Sequence, residues 1–269
     1  MNKPTEQETK WALAIKQAAQ QDPDIHTDLI CDLEYIQHAI VAKDKVQDAL
    51  DRIRRMQHFK TQHSIKMDGS AEEGMRDLAT FQRAHPGFFL SLGSLPDGSP
   101  IIAVDSSRTV LRDIKSEESI AVFLRGMFYS MQACHSSICA MRTGSVTLSD
   151  MGGCDWRHRN RQVTGRNAEL YSRAYPKRHT LIVLLNVSFL WRLTFAWFKL
   201  LIPKKMWERY ILLGDPKGFL QGACYPPTVL PAAWNDKYCD GTMEQQGLQQ
   251  AFRERLKARY DLAAKFKLE

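Results

Sequence analysis

The sequence lacks the patterns that announce an enzyme. It has no G-x-S-x-G nucleophile elbow, no P-loop and no G-x-G-x-x-G dinucleotide fingerprint. The Gly-flanked stretch 69–74 (GSAEEG) puts two carboxylates where a phosphate cradle needs bare backbone N–H groups. His135 directly follows Cys134, and neighbours on a helix point apart, which excludes a nucleophile–base pair between them. The expectation is a binding protein with no catalytic residues.

Metal-ligand spacing is also missing. The six Cys contain no C-x-x-C pair and the eight His are scattered, so neither a zinc site nor a disulfide framework is expected, and the thiols read as reduced packing residues. The opening decapeptide MNKPTEQETK is polar with no apolar run behind it, which reads as a cytoplasmic chain without a secretory leader. Internal repeats and low-complexity tracts are absent. What is present is an ordinary globular composition: 269 residues, 44% hydrophobic and 25% charged, enough for a substantial core in one or two domains. The formal net charge of +7 fits an anionic partner surface, membrane or nucleic acid, or plain solubility; charge alone does not choose.

A clean membrane span is missing too, although one stretch comes close. The run 181–202 is apolar over the ~20 residues a span needs, but it contains Asn186, Arg192 and Lys199. A central Arg costs ~2.5–3.5 kcal/mol in a membrane helix. The run also changes character at Asn186. Residues 181–187 form a short apolar run of the kind a buried strand shows, and 189–202 carry helical spacing with Ser188, Arg192 and Lys199 on one face. Ser188 is the expected N-cap, Pro203 the stop, and 204–210 a short basic helix before a strand ending at Gly214.

This ordered set resembles the CRAL-TRIO lipid-binding family, which includes phosphatidylinositol/phosphatidylcholine transfer proteins, the α-tocopherol transfer protein and the retinaldehyde-binding protein. The family pattern is Tyr/Phe-Pro, an apolar strand ending in Asn, a mobile gate helix, a Lys-Pro-Phe-Leu-like end, and a helix with Lys/Arg-Ile before a strand ending in Gly. Tyr175-Pro176, the strand ending at Asn186, the helix from Phe189, Lys199 (followed by Leu200 where the family has Pro) and Arg209 before Ile211–Gly214 match it in order. The strand Gly144–Asp150 followed by Gly152-Gly153 matches the family's preceding strand. The resemblance covers roughly 81–234. Past it, Phe219-Leu220 and Leu230-Pro231 fit the family's tail, but Trp234-Asn235-Asp236 stands where the family closes on a double Gly.

The resemblance implies an α/β fold: an N-terminal helical unit (1–75), a CRAL-TRIO domain (76–242) with a mixed, mostly parallel sheet, hydrophobic pocket and gate helix, then a C-terminal basic helix (243–269). It implies one bound lipid or small hydrophobic molecule, moved between or presented at membranes, with no other cofactor, no nucleic acid, and a monomeric chain peripheral on anionic membranes. A lipid-sensing regulatory or scaffold module is the alternative. The implied pocket residues are Phe123, Met127, Met131, Ser145, Thr147, Ser149, Tyr175, Ile182, Leu184, Phe189, Trp191, Phe195 and Phe198. Phosphatidylinositol-binding members carry Glu after the Tyr-Pro pair; here Lys177 stands there. The match is closer to the α-tocopherol transfer protein, which implies a phosphate grip by Arg178, Lys205 and Arg209.

Other elements follow from periodicity and turn residues. Helices are expected over 25–42, 42–58, 72–85, 119–141, 167–175 and 243–268, with at most one docked turn near Trp11 and Ile15. Strands 88–93 and 101–105 pair across the turn residues LPDGSP. In 145–150 the hydroxyls alternate with Val146 and Leu148, which gives one hydroxyl face and one apolar face. Arg52, Arg54 and Arg55 read as a solvated face, and 155–166 as an Arg-rich basic loop able to meet phosphates or solvent.

Overall fold

The computed structural model describes residues 3–66, 69–158, 160–199, 204–215 and 245–268; within these, the side chains of His179, Thr180, Thr194, Trp197, Phe198, Lys205, Met206, Gln245 and Gln246 are not described. The tail features at Phe219-Leu220, Leu230-Pro231 and 234–236 lie outside the described residues.

Four helices open the chain: α1 (Glu6–Gln20), α2 (Asp32–Ala42), α3 (Val46–Gln62) and α4 (Ala71–Ala84). The expected single docked turn near Trp11 is in fact the whole of α1. Its start is fixed by a capping box in which the Thr5 N–H donates to Glu8 Oε2 (2.8 Å) and the Glu8 N–H to Thr5 Oγ1 (3.2 Å). Its buried face, Ala12, Ile15 and Ala19, packs on Leu33, Ile36, Ile40, Ala49 and Ile53 of α2 and α3. Two of those three contacts are Ala, which lets the helices approach closely and gives little hydropathy signal. The solvated face expected for three arginines holds for Arg55 alone: Arg54 pairs with Asp22 and Asp51, and half-buried Arg52 donates to the carbonyl of Tyr175 (3.4 Å).

Strands β1 (Phe89–Ser94) and β2 (Pro100–Asp105) pair antiparallel, as expected, across a turn that holds Gly98 at φ +82°. The expected single helix over 119–141 is two: α5 (Glu117–Cys134) and α6 (Ile138–Thr143). The break falls where Ser137 leaves the helical region and its hydroxyl accepts from the Ala140 N–H (3.1 Å), starting a new helix. β3 (Ser145–Asp150) follows. The Arg-rich loop contains a further helix, α7 (Arg161–Glu169), capped by Asn160 and running into a π-helical turn, Leu170–Ala174. Then come β4 (His179–Leu185), α8 (Phe189–Phe198), α9 (Lys204–Trp207), β5 (Tyr210–Leu212) and the terminal α10 (Gln245–Lys265).

The sheet order is β1-β2-β3-β4-β5; only β1–β2 is antiparallel, so the sheet is mixed and mostly parallel. Its two faces differ. One face carries Ile101, Ala103, Val146, Leu148, Val183 and Leu185, all at most 3% exposed. On the other, Ile102 and Val104 join the main core built with α4, α5 and α10. The terminal helix docks rather than projecting. Leu248, Phe252 and Leu256 are buried against Phe89 and α5, and side chains of this kind contribute ~1.5–3 kcal/mol each when fully buried.

Candidate functional site

The second face of the sheet also carries Ser145, Thr147 and Ser149 on β3, Ile182 and Leu184 on β4, and Tyr210 and Leu212 on β5. A strand's alternation puts these on one side. A register shift between Ser145 and Val146 pairs Ser145 with His179 but Val146 with Leu181, so the entry to β4 is re-phased by one residue. Thr147 and Ile182 lie on the two central strands of this end of the sheet, yet both remain half-buried, whereas their neighbours on the opposite face are sealed. Ser149 shares a hydrogen bond with Ser106 (Oγ···Oγ 2.7 Å), while the Ser145 and Thr147 hydroxyls have no side-chain partner among the described residues.

α8 lies over this face and divides its side chains. Trp191 and Phe195, one helical turn apart, turn inward and pack with Ile182, Leu184, Met151 and Val187; their rings are 6.1 Å apart. Phe189, Leu190 and Leu193 turn outward and are 73%, 74% and 48% exposed. The helix begins as the sequence implied: the Trp191 N–H donates to Ser188 Oγ (3.4 Å) and the Arg192 N–H to the Ser188 carbonyl. Trp191 Nε1–H donates to the carbonyl of Cys154 (3.0 Å), which ties the helix to the loop after β3. At its far end Lys199 Nζ lies 5.7 Å from the Trp207 ring, which stacks on Tyr210. Sequence reasoning named Phe189, Trp191 and Phe195 together as lining residues. The structure separates Phe189 from the other two and adds Leu190 and Leu193 to its side. The signal was spacing: 191 and 195 share a face that 189, 190 and 193 do not.

The remaining named residues fall elsewhere. Phe123 packs against Phe81, Phe88 and His85 in the main core. Met127 and Met131 are buried along α5, and Tyr175 is buried between Phe128 and His135. Arg178 uses its guanidinium on the carbonyls of Ile40 (2.6 Å) and Arg142 (3.4 Å), clamping the ends of α2 and α6. Arg209 is half-buried, and its carbonyl accepts from Ile182 N–H (2.8 Å). The side chains of Phe198 and Lys205 lie outside the described residues. In the Arg-rich segment Arg157 pairs with Asp155 and Arg166 with Glu117, and Arg112 stacks on the exposed Trp156 at 4.4 Å.

Lys177 is the residue that sequence reasoning missed. It stands next to Pro176 at the re-phased entry to β4 and is 8% exposed. Its Nζ sits 3.4 Å from Met131 Sδ and 3.1 Å from the centre of the Tyr171 ring. Burial holds its ammonium pKa well below the ordinary lysine range. Nothing in composition or spacing marks a lysine after Pro as interior.

Among the described residues no group of three or more His, Cys, Asp and Glu could hold a metal ion, and no helix is long and apolar enough to cross a membrane.

No protein-family model matches the chain, and no curated protein matches it. Solved structures do: the crystal structure of Sfh5 superposes with a TM-score of 0.54 at 10% sequence identity, over 82% of this chain and 85% of that one. The chain therefore shares the overall α/β fold of that structure. At this identity the likeness carries the fold and not the ligand.

Proposed function

We propose that the chain binds one lipid or small hydrophobic molecule between the hydroxyl-bearing face of the sheet and α8, and transfers or presents it at membranes without catalysing a reaction. The observation that carries this reading is the division of α8: Trp191 and Phe195 cover the half-buried sheet face while Phe189, Leu190 and Leu193 of the same short helix stand in solvent. Three large apolar residues exposed side by side cost solvation free energy that a structural helix would avoid. They are explained if that side wets a membrane while the other holds the ligand. Removing a lipid tail from water gains ~0.8 kcal/mol per CH2, so the site must return comparable apolar burial, and Ile182, Leu184, Trp191 and Phe195 supply it.

The hydroxyls of Ser145 and Thr147 give the ligand's polar end a place to hydrogen-bond. Arg209, on the segment between α9 and β5, would serve as a phosphate-binding cation near the gate. Arg178 would serve with the donors it does not spend on Ile40 and Arg142. The working place is the surface of an anionic membrane, reached from the cytoplasm.

The test is lipid transfer between vesicles by the full chain, with lipid load read by native mass spectrometry. Wild type is expected to extract and deliver lipid, and the Leu190→Asp, Leu193→Asp pair to lose vesicle binding and transfer with an unchanged melting temperature. Retained vesicle binding by that pair would overturn the membrane-facing assignment. Lipid bound but never delivered would replace transfer with sensing.

A further inference from the structure

A second cavity lies among α2, α3, α5 and the terminal α10. Its volume is about 330 Å³, at the small end of the ~300–1,000 Å³ range of ligand pockets. No described residue of the sheet or of α8 lines it, so it is separate from the site proposed above. Part of the lining is apolar: Leu29, Ile30, Leu33 and Ala263. Three cations line it as well, Lys60, Lys66 and Arg259. Lys60 is paired with Glu34 (3.2 Å) and Lys66 with Glu73 (3.5 Å). Arg259 is 4% exposed and forms no ion pair among the described residues. Its guanidinium donates to two neutral oxygens, the His135 carbonyl (2.8 Å) and Gln37 Oε1 (2.8 Å), which uses two of five N–H donors.

Tyr129 on α5 supplies a second unspent donor. It is fully buried, and its hydroxyl has no hydrogen-bond partner among the described residues. A Cβ at Gly69, which lines the cavity, would lie 3.4 Å from the Tyr129 hydroxyl and 3.2 Å from that of Tyr260. The Tyr260 O–H donates to Gln132 Oε1 (2.8 Å), whereas the Tyr129 O–H donates to nothing. A buried charge without a counter-ion and a buried hydroxyl without an acceptor each cost stability. Here the two border the same cavity. Their spacing follows from α5: Arg259 is held at His135, and Tyr129 precedes His135 by six residues, a helical rise of ~9 Å.

We propose that this cavity is a second ligand site, for a small organic acid. Its carboxylate meets Arg259, its apolar chain lies against Leu29, Ile30 and Leu33, and an oxygen at its far end accepts from Tyr129. The carboxylate takes charge-assisted hydrogen bonds from the guanidinium and supplies the counter-charge that Arg259 lacks. A chain of about eight carbons spans the ~9 Å between the two donors. A neutral lipid would leave Arg259 without a counter-charge. A phosphate monoester fits less well, because its second charge would find only Lys60 and Lys66, both already paired. Binding is non-covalent and does not depend on the α8 site. It ties α2 of the N-terminal helices to the last helix of the chain, since Leu33 and Arg259 line the cavity together.

The full chain is titrated calorimetrically at pH 7 with octanoate, 8-hydroxyoctanoate and octanol, as wild type, Tyr129→Phe and Phe195→Asp. Wild type is expected to bind 8-hydroxyoctanoate about three- to tenfold more tightly than octanoate, the worth of one hydrogen bond. Octanol should bind about tenfold more weakly than octanoate, or less, because it brings no charge to Arg259. Tyr129→Phe should abolish the advantage of the added hydroxyl and leave octanoate binding unchanged. It should not lower the denaturation midpoint of the unliganded chain, because the phenol has no partner to lose. Phe195→Asp, which spoils the α8 site, should leave the affinity for both acids unchanged. Octanol bound as tightly as octanoate would overturn the carboxylate site at Arg259. An undiminished preference for 8-hydroxyoctanoate in Tyr129→Phe would overturn the part given to Tyr129. Loss of octanoate binding in Phe195→Asp would place the acid under α8, overturning the second site and leaving the first intact. The comparison of the three probes is read on the wild-type chain, so it stands even if a variant does not fold.

Discussion

Asn186 Nδ2 donates to Asp150 Oδ1 at 2.8 Å, joining the carboxyl ends of β4 and β3 directly under the start of α8. The same oxygen accepts from the Gly152 N–H (2.8 Å), and Asn186 itself is left-handed at φ +55°. Asn tolerates that backbone better than other non-Gly residues. The side chain and the backbone of one residue therefore set where the chain leaves the sheet and turns into the helix.

The two contributions can be separated by substitution. Asn186→Gly keeps the backbone and loses a hydrogen bond to a charged acceptor, with ~1–3 kcal/mol of stability expected to go. Asn186→Val loses the same bond and adds ~1–2 kcal/mol of left-handed strain. Chemical denaturation should rank them wild type, then Gly, then Val. Equal midpoints for the two variants would remove the backbone from the account.

The inner and outer sides of α8 should respond differently to the same charge. Phe195→Asp places a carboxylate against Ile182 and Leu184 and should lower ligand load and transfer together. Leu193→Asp changes a residue 48% exposed and should leave the load of purified protein unchanged while weakening vesicle sedimentation about tenfold or more, since one buried Leu is worth ~1.5–3 kcal/mol. Matching effects of the two on load would contradict the division of the helix.

Much of this arrangement was legible in the sequence. The order of strand, Asn turn, Ser-capped helix and closing strand from 181 to 214 rests on local signals: an apolar run, an Asn before a Ser, and a change of period. The β1–β2 hairpin was legible because Pro96-Asp97-Gly98 is turn chemistry. What was not legible depended on tertiary contacts. α1 hides its packing in Ala12 and Ala19, which carry little hydropathy. The break at His135–Ser137 is decided by a hydroxyl that caps instead of continuing. The one-residue shift at the start of β4 re-phases the residues before it, so alternation from 181–187 cannot be extended back to Lys177. Basic residues read as surface by default, yet Lys177, Arg178 and Arg259 bond or pack in the interior.

Acid should destabilise the fold from about the ordinary histidine pKa downward. Burial pushes His38 and His135 down to about 3 and His63 to about 4, so all three are neutral in the folded chain where the unfolded chain begins to protonate near 6.5. Between those values the unfolded state binds more protons, and stability falls as pH falls. At pH 5 each histidine should cost ~1–2 kcal/mol. Melting temperatures from pH 7 to pH 5 should drop steadily, and His38→Met should lessen the slope. A flat profile over that range would mean that the imidazoles are not held neutral.

Gly126 sits where α5 crosses α4, and a Cβ there would come within 2.7 Å of Phe81 Cβ and closer still to its ring. Phe81 cannot yield: it is fully buried and its ring contacts those of Phe88, Phe89 and Phe123. In an exposed helix, Gly→Ala stabilises by up to ~1 kcal/mol. Here the clash should reverse the sign, with Gly126→Ala costing ~1–3 kcal/mol through overpacking. Gly165 supplies the control, since its Cβ would meet nothing within 4 Å in α7; Gly165→Ala should raise the denaturation midpoint. Combining Gly126→Ala with Phe81→Leu should cost less than the sum of the two single changes, because the smaller side chain vacates the space that the added methyl needs. Additive losses would mean that the strain at this crossing is relieved by movement of the helices rather than held in the Phe81 ring.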